Sequence, residues 1–297
     1  MNNRNTFKSF IKGILYILPA LVILGVFRIY PILKSLDMSF YTKYNYFKDV
    51  VYERGFDNFI YIFNDEEFIV AIKNTFTFVL GVVPLSISIS LFIAIILNSQ
   101  IKFQSFFRGI YFIPFVTSIV AISAVWRWIY NSEFGILNYF LGLFGIDPIK
   151  WLLDPNWAMI SLIILSIWKG LGYNIVILLA GLQNIDKQYY LAAKVDGASK
   201  AQIFFYITLP LLSPTIFFVS IMSMINSFKV FDEVYVLFDK IPGPMGRCLT
   251  MVYYIYDKFA NEYVYGIASA AVYILFMIVL FFTIIQLYIG NKKVYYN

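Results

Sequence analysis

The chain has 297 residues, of which 61% are hydrophobic, 20% aromatic and only 13% charged, and its formal net charge is +6. A soluble domain carries about a quarter charged residues, so lipid must be the solvent for much of this chain, and the modest basic excess gives no reason to expect nucleic acid. With no histidine and a single cysteine, Cys248, zinc sites, histidine-based catalytic triads and intramolecular disulfides are excluded, and no carboxylate cluster offers another metal site.

Arg4, Lys8 and Lys12 precede an apolar run that resembles a signal peptide. The run continues past Pro19 to Phe27 with no small-residue cleavage site after it, so it reads as an uncleaved first span. A helix crossing about 30 Å of hydrocarbon needs roughly 20 mostly apolar residues. Six stretches qualify: Ile11–Leu33, Val70–Leu97, Phe106–Tyr130, Trp157–Gly181, Leu211–Phe231 and Val264–Ile289. The expected fold is therefore an all-α integral membrane protein of about six transmembrane helices, one domain over residues 1–297. An even count puts both termini on one side. If that side is cytoplasmic, the short inside segments hold ten basic residues, among them Lys102, and the longer outside loops eight, while fifteen of the seventeen acids fall outside. That asymmetry favours both termini inside.

Tyr41, Tyr44, Tyr46, Trp151, Trp157, Tyr253, Tyr254 and Tyr256 lie near predicted span ends and are expected to form interfacial belts. Pro19, Pro84 and Pro114 are expected to kink their helices. Lys169 lies near the middle of the fourth span, where a charge faces a polar cavity or a partner, or else snorkels or pairs for structure. Gly170, Gly172 and Asn174 beside it point to a wet or irregular stretch. Ser213, Ser220, Ser223 and Ser227 share one face of the fifth span, with Asn226 and Lys229 near it. Such a stripe more often packs helices than lines a path. In the second reading Lys169, Asn174, Ser220, Ser223, Asn226 and Ser227 line a substrate pathway.

The segment 184–210 is unlike the other loops. Asp186 can cap a helix through Tyr189–Val195, Gly197 can end it in the left-handed conformation, and Ser199 can cap a second short helix through Phe205. Pro210 suits the first turn of the next span. A helix–turn–helix tied to the fifth span results.

Ala192-Ala193-x-x-Asp196-Gly197-Ala198, followed after eight residues by Ile207-Thr208-Leu209-Pro210, resembles the EAA loop of binding-protein-dependent ABC importers. Leu191 stands where that family has its glutamate. Arg28–Pro31 with Ser39-Phe40, Asn74-Thr75, Phe112-Ile-Pro114 with Trp126, Gly135-Ile-Leu-Asn138 with Trp151-Leu152 and Pro155, and Trp168 with Leu171-Gly172 are similar to the carbohydrate permeases of the maltose and glycerol-phosphate type. Ala180-Gly181-Leu182-Gln183 and Tyr265-Gly266-Ile-Ala268-Ser269-Ala270 extend the likeness, and the usual Thr-x-Gly-Gly-Pro is reduced to Gly243-Pro244. The resemblance implies a permease subunit whose cytoplasmic coupling loop, carried by Tyr190, Leu191, Ala192, Ala193, Asp196, Gly197, Ala198, Ile207, Leu209 and Pro210, docks on an ATPase. It further implies two ATPase copies holding ATP and Mg, a second homologous permease, and an extracellular solute-binding protein that delivers a sugar or oligosaccharide. No cofactor and no catalytic residue is expected on this chain, which lacks a P-loop. An ABC permease for glycerol phosphate, peptides or amino acids is the near alternative. An ion-coupled secondary transporter is disfavoured because no Asp or Glu lies within any predicted span.

Overall fold

The computed structural model describes residues 3–45, 48–99 and 104–294, so Lys102 and Tyr46 lie outside the described residues. The helices, in chain order, are α1 (Asn3–Leu24), α2 (Tyr30–Ser39), α3 (Asp57–Asn64), α4 (Glu66–Asn98), α5 (Gln104–Val116), α6 (Ile119–Ile129) and α7 (Ile136–Leu143). They continue with α8 (Pro155–Gln183), α9 (Lys187–Val195), α10 (Lys200–Ile203), α11 (Leu209–Phe228), α12 (Asp232–Leu237), α13 (Met251–Tyr256) and α14 (Tyr265–Lys293). Among the described residues, five helical segments are long and apolar enough to cross a membrane: Lys12–Ser39, Glu66–Asn98, Pro155–Gln183, Lys200–Phe228 and Tyr265–Lys292. The predicted third span is a sixth candidate, but it is broken: Phe106–Val116 and Ile119–Ile129 meet at 101°. Pro114 has no N–H for the ladder, the Thr117 hydroxyl folds back on the Ile113 carbonyl at 2.7 Å, and Ser118 is extended at φ −54°, ψ 133°. By contrast, α1 and α4 run through Pro19 and Pro84 as continuous helices.

The chain packs as two compact units, Met1–Asp65 with Ile255–Ile274, and Glu66–Tyr254 with Leu275–Asn297. In the first, α1 and α2 are joined by a π-helical turn, Gly25–Ile29. A hairpin the hydropathy did not announce follows, with β1 (Tyr41–Asn45) antiparallel to β2 (Val50–Arg54) in an irregular register. It is stapled locally: the Asn58 amide donates to the carbonyls of Ser39 and Tyr41 at 2.9 and 3.0 Å, and Arg54 pairs with Asp37 at 2.8 Å. Tyr41, expected in an interfacial belt, is buried, and its hydroxyl donates to Asp37.

The described residues of the second unit include two buried apolar clusters. On α4 the buried positions Ala71, Thr75, Phe78, Val82, Ser86, Ser90, Ala94 and Leu97 recur every three or four residues, the stripe of a helix packed along its length. Its first half joins Trp126 of α6 and Tyr130 just after it, Leu162 and Leu165 of α8, and Val234 and Leu237 of α12. Its second half joins Ile175, Leu178 and Leu182 of α8 with Leu212 and Val219 of α11. Gly172 permits the close approach of α5 to α8: a Cβ there would lie 2.1 Å from the Tyr111 carbonyl oxygen. Trp151, Tyr253 and Tyr254 belong to this interior and are 7%, 4% and 1% exposed, so tertiary packing claims aromatics that the sequence assigns to the membrane interface.

Candidate functional site

Two features of the second unit bear on function, a polar cavity and the segment between α8 and α11. The cavity measures about 430 Å³ and is lined by α4, α5, α8, α11 and α12. Asn174 ties three of these helices: its amide donates to Ser86 Oγ of α4 at 2.9 Å, and its carbonyl accepts from Ser223 Oγ of α11 at 3.4 Å. Phe78, Phe115 and Tyr173 supply apolar faces, with Phe115 and Tyr173 stacked at 5.2 Å between centroids. Ser166 Oγ, buried on the wall, makes no hydrogen bond to any described residue.

Lys169 reaches across the cavity wall from mid-α8, and its Nζ lies 2.8 Å from Glu233 Oε1 in the first turn of α12. A carboxylate at a helix N-terminus gains from the macrodipole. The ammonium in turn stabilises the carboxylate, so neither group stands as an isolated charge in the span. Of the pathway residues expected from sequence, Lys169, Asn174, Ser223, Asn226 and Ser227 all line the cavity. Ser220 does not; its hydroxyl accepts from Gln286 Nε2 of α14 at 3.2 Å, a helix-packing contact. Sequence reasoning missed Glu233, Ser86 and Ser166. Ser86 and Ser90 lie four apart on one face of α4, which was a readable signal. Glu233 follows the fifth span directly, but only the turn into α12 brings it back to Lys169.

The loop segment is a helix–turn–helix. Asp186 Oδ1 accepts from the Gln188 N–H at 2.9 Å and caps α9. Gly197, at φ +73°, ends α9, while the N–H of Gly197 bonds the Lys194 carbonyl at 3.2 Å and that of Ala198 bonds the Ala193 carbonyl at 2.9 Å. This bond pair closes the last turn of a helix through a left-handed residue. Ser199 and Gln202 form a reciprocal capping box on α10. A π-helical turn, Phe204–Thr208, then leads to Pro210 in the first turn of α11, shortening the second helix expected through Phe205. Tyr190 Oη and Thr208 Oγ1 lie 3.3 Å apart, tying α9 to that turn. Ala193 is the buried residue of α9, whereas Leu191 and Val195 are 60% and 88% exposed. Ala192 and Asp196 are exposed too, and Ile207 and Leu209 are half-buried. Among the described residues no group of three or more His, Cys, Asp or Glu side chains is placed to hold a metal ion.

A bundle of membrane-length helices around a polar cavity, with a capped helix pair between two spans, is the architecture of a membrane transport subunit. Residues 59–294 match the family described as binding-protein-dependent transport system inner membrane component, and the chain belongs to that family. It is 34% identical over 299 residues to the lactose transport system permease protein LacF of Rhizobium radiobacter, covering 98% of both chains. It is 32% identical over 281 residues to the trehalose/maltose transport system permease protein MalF of Thermococcus litoralis, covering 95% and 94%. Its fold is similar to a chain of a solved bacterial alginate ABC transporter in complex with its alginate-bound periplasmic protein, with a TM-score of 0.85, 24% identity and 98% of each chain covered.

Proposed function

We propose that this chain is the membrane-spanning permease subunit of an ATP-binding-cassette importer that moves a sugar or oligosaccharide into the cytoplasm, the whole of residues 1–297 acting as one permease domain. The observation that carries the substrate class is the cavity: hydroxyls, amides, stacked rings and a charge-paired wall around about 430 Å³. A sugar presents hydroxyls that exchange hydrogen bonds with such groups as water leaves, and apolar ring faces that pack on aromatics. Relatives named for lactose, trehalose/maltose and arabinooligosaccharide transport support the same class.

Energy comes from two copies of a partner ATPase that hold ATP and Mg. The chain pairs with a second homologous permease and receives its cargo from an extracellular solute-binding protein. Both termini are cytoplasmic, which places α9, Gly197 and α10 on the ATPase side. The exposed Leu191 and Val195 give α9 an apolar docking ridge, and Tyr190, Ala192, Ala193, Asp196, Ala198, Ile207, Leu209 and Pro210 hold or frame it. Nucleotide-driven closure of the ATPases moves this helix pair as a lever on α11. Cargo and binding protein shift the equilibrium only through their differential affinity for the inward- and outward-open states.

Reconstitution of the purified importer with its binding protein and labelled solutes tests the reading. ATP-dependent accumulation of a neutral mono- or oligosaccharide, and none of amino acids or peptides, is expected. Accumulation of amino acids or peptides alone overturns the sugar assignment.

A further inference from the structure

The charges on the cavity wall are balanced. Lys169 and Lys229 supply two cations, and Asp232 and Glu233 two carboxylates. At the centre of this set, Lys169 Nζ and Glu233 Oε1 are 2.8 Å apart, with side chains 23% and 18% exposed. The pair therefore keeps a face on the cavity while most of each ion is removed from solvent. An ammonium donates three hydrogen bonds and a carboxylate accepts up to about four, so the bond between them leaves capacity on both for a ligand. The hydroxyl groups of an uncharged sugar satisfy both ions at once, donating to the carboxylate and accepting from the ammonium. An anionic ligand pairs with Lys169 only by displacing Glu233, and a cationic one pairs with Glu233 only by displacing Lys169. Either exchange strands a partly buried charge, the costly outcome for a desolvated pair.

We propose that the Lys169–Glu233 pair is a charge filter, which makes the cavity selective for uncharged saccharides against both uronate-bearing and amino-sugar-bearing ones. The proposal rests on the sugar reading above and specifies the chemical class within it. Its two halves are separable, because each ion excludes the ligands of its own sign.

The experiment uses the complete importer purified from its own membranes into nanodiscs, as wild type, Glu233→Gln and Lys169→Met, each checked for recovery of its partner chains. Three probes are presented in mildly acidic buffer, and binding is read by saturation-transfer NMR: maltotriose, trigalacturonate, and the trisaccharide of glucosamine. Wild type is expected to bind maltotriose alone. Glu233→Gln is expected to gain trigalacturonate binding by about tenfold or more, and Lys169→Met to gain the glucosamine trisaccharide to a similar extent. Binding of maltotriose and trigalacturonate alike by the wild type overturns the proposal. So does an unchanged preference for maltotriose in both variants when they assemble normally. If the wild type binds none of the three sugars, the sugar reading itself falls, a result distinguishable from failure of the filter alone.

Discussion

Single side chains in the second unit hold segments that hydropathy leaves undefined. Asn138 of α7 donates to the carbonyls of Ser132 and Ile149 at 3.1 and 2.9 Å, while its Oδ1 accepts from the Ile149 N–H and from Trp151 Nε1 at 3.1 and 2.9 Å. Replacing it with leucine strands several buried groups, each worth about 1–3 kcal/mol. Asn138→Leu is therefore expected to lower the thermal midpoint of the detergent-purified chain by several degrees, read by fluorescence-detected size-exclusion after heating. An unchanged midpoint would show that the hub is dispensable. The sequence displayed Asn138 and Trp151 at a recognisable spacing, but the reason for it is a tertiary bond between loop and helix, invisible to periodicity. Cys248 gives a second residue-scale prediction. Burial pushes its thiol up to about 12, so the folded state holds the proton where an unfolded thiol, ionising near 8.5, has lost it. The stabilisation this implies is full below about pH 8.5 and is lost as the pH climbs toward about 12. At neutral pH the thiol should resist maleimide in the folded chain and react on unfolding, as followed by mass shift. Rapid labelling of the native protein would contradict its burial.

At the scale of elements, close approach and capping separate what was legible from what was not. The loop helices could be read from Asp186, Gly197 and Ser199 because capping is local chemistry: a side chain or a permissive φ within a few residues decides the helix end. Gly197, at φ +73°, should tolerate no β-branched residue. Gly197→Val costs about 1–2 kcal/mol from the left-handed conformation alone and should reduce ATPase recovery with the purified chain, whereas full recovery would show that the turn is not needed for docking. Gly172→Ala forces α5 and α8 apart, since the added Cβ meets Tyr111 O at 2.1 Å, while Gly170→Ala meets nothing within 4 Å. The first is expected to lower the folded yield sharply and the second to leave it intact, read by monodisperse peak height. Equal yields would mean that the helices part without strain. The 101° break after Val116 was not legible. Pro114 announces a disturbed ladder, but the direction and size of a bend are set by what the two halves pack against. The β1–β2 hairpin was missed for a related reason, its tyrosines and valines being indistinguishable by composition from the residues of a membrane interface.

For the molecule as a whole, five long apolar helices and a broken sixth candidate fall among the stretches that hydropathy singles out, because the cost of leaving backbone polar groups unpaired in lipid is large and general. Five of the six expected pathway residues meet at one cavity. Their convergence was partly readable, since Asn174 and the serines mark faces of neighbouring helices. Glu233 was not readable: its place beside Lys169 depends on how the chain turns between α11 and α12. Family membership over residues 59–294 makes this chain one component of a transport system, and under the proposed function its α9–α10 segment is where a partner ATPase docks. The most direct test is purification of the tagged chain from its native membranes in mild detergent, with companions identified by mass, beside a variant carrying Ala193→Trp and Gly197→Val. Wild type should bring down an ATPase and a second permease, and the variant should keep the permease while losing the ATPase. Recovery of the wild-type chain with no ATPase across several detergents, or undiminished ATPase on the variant, would contradict the account.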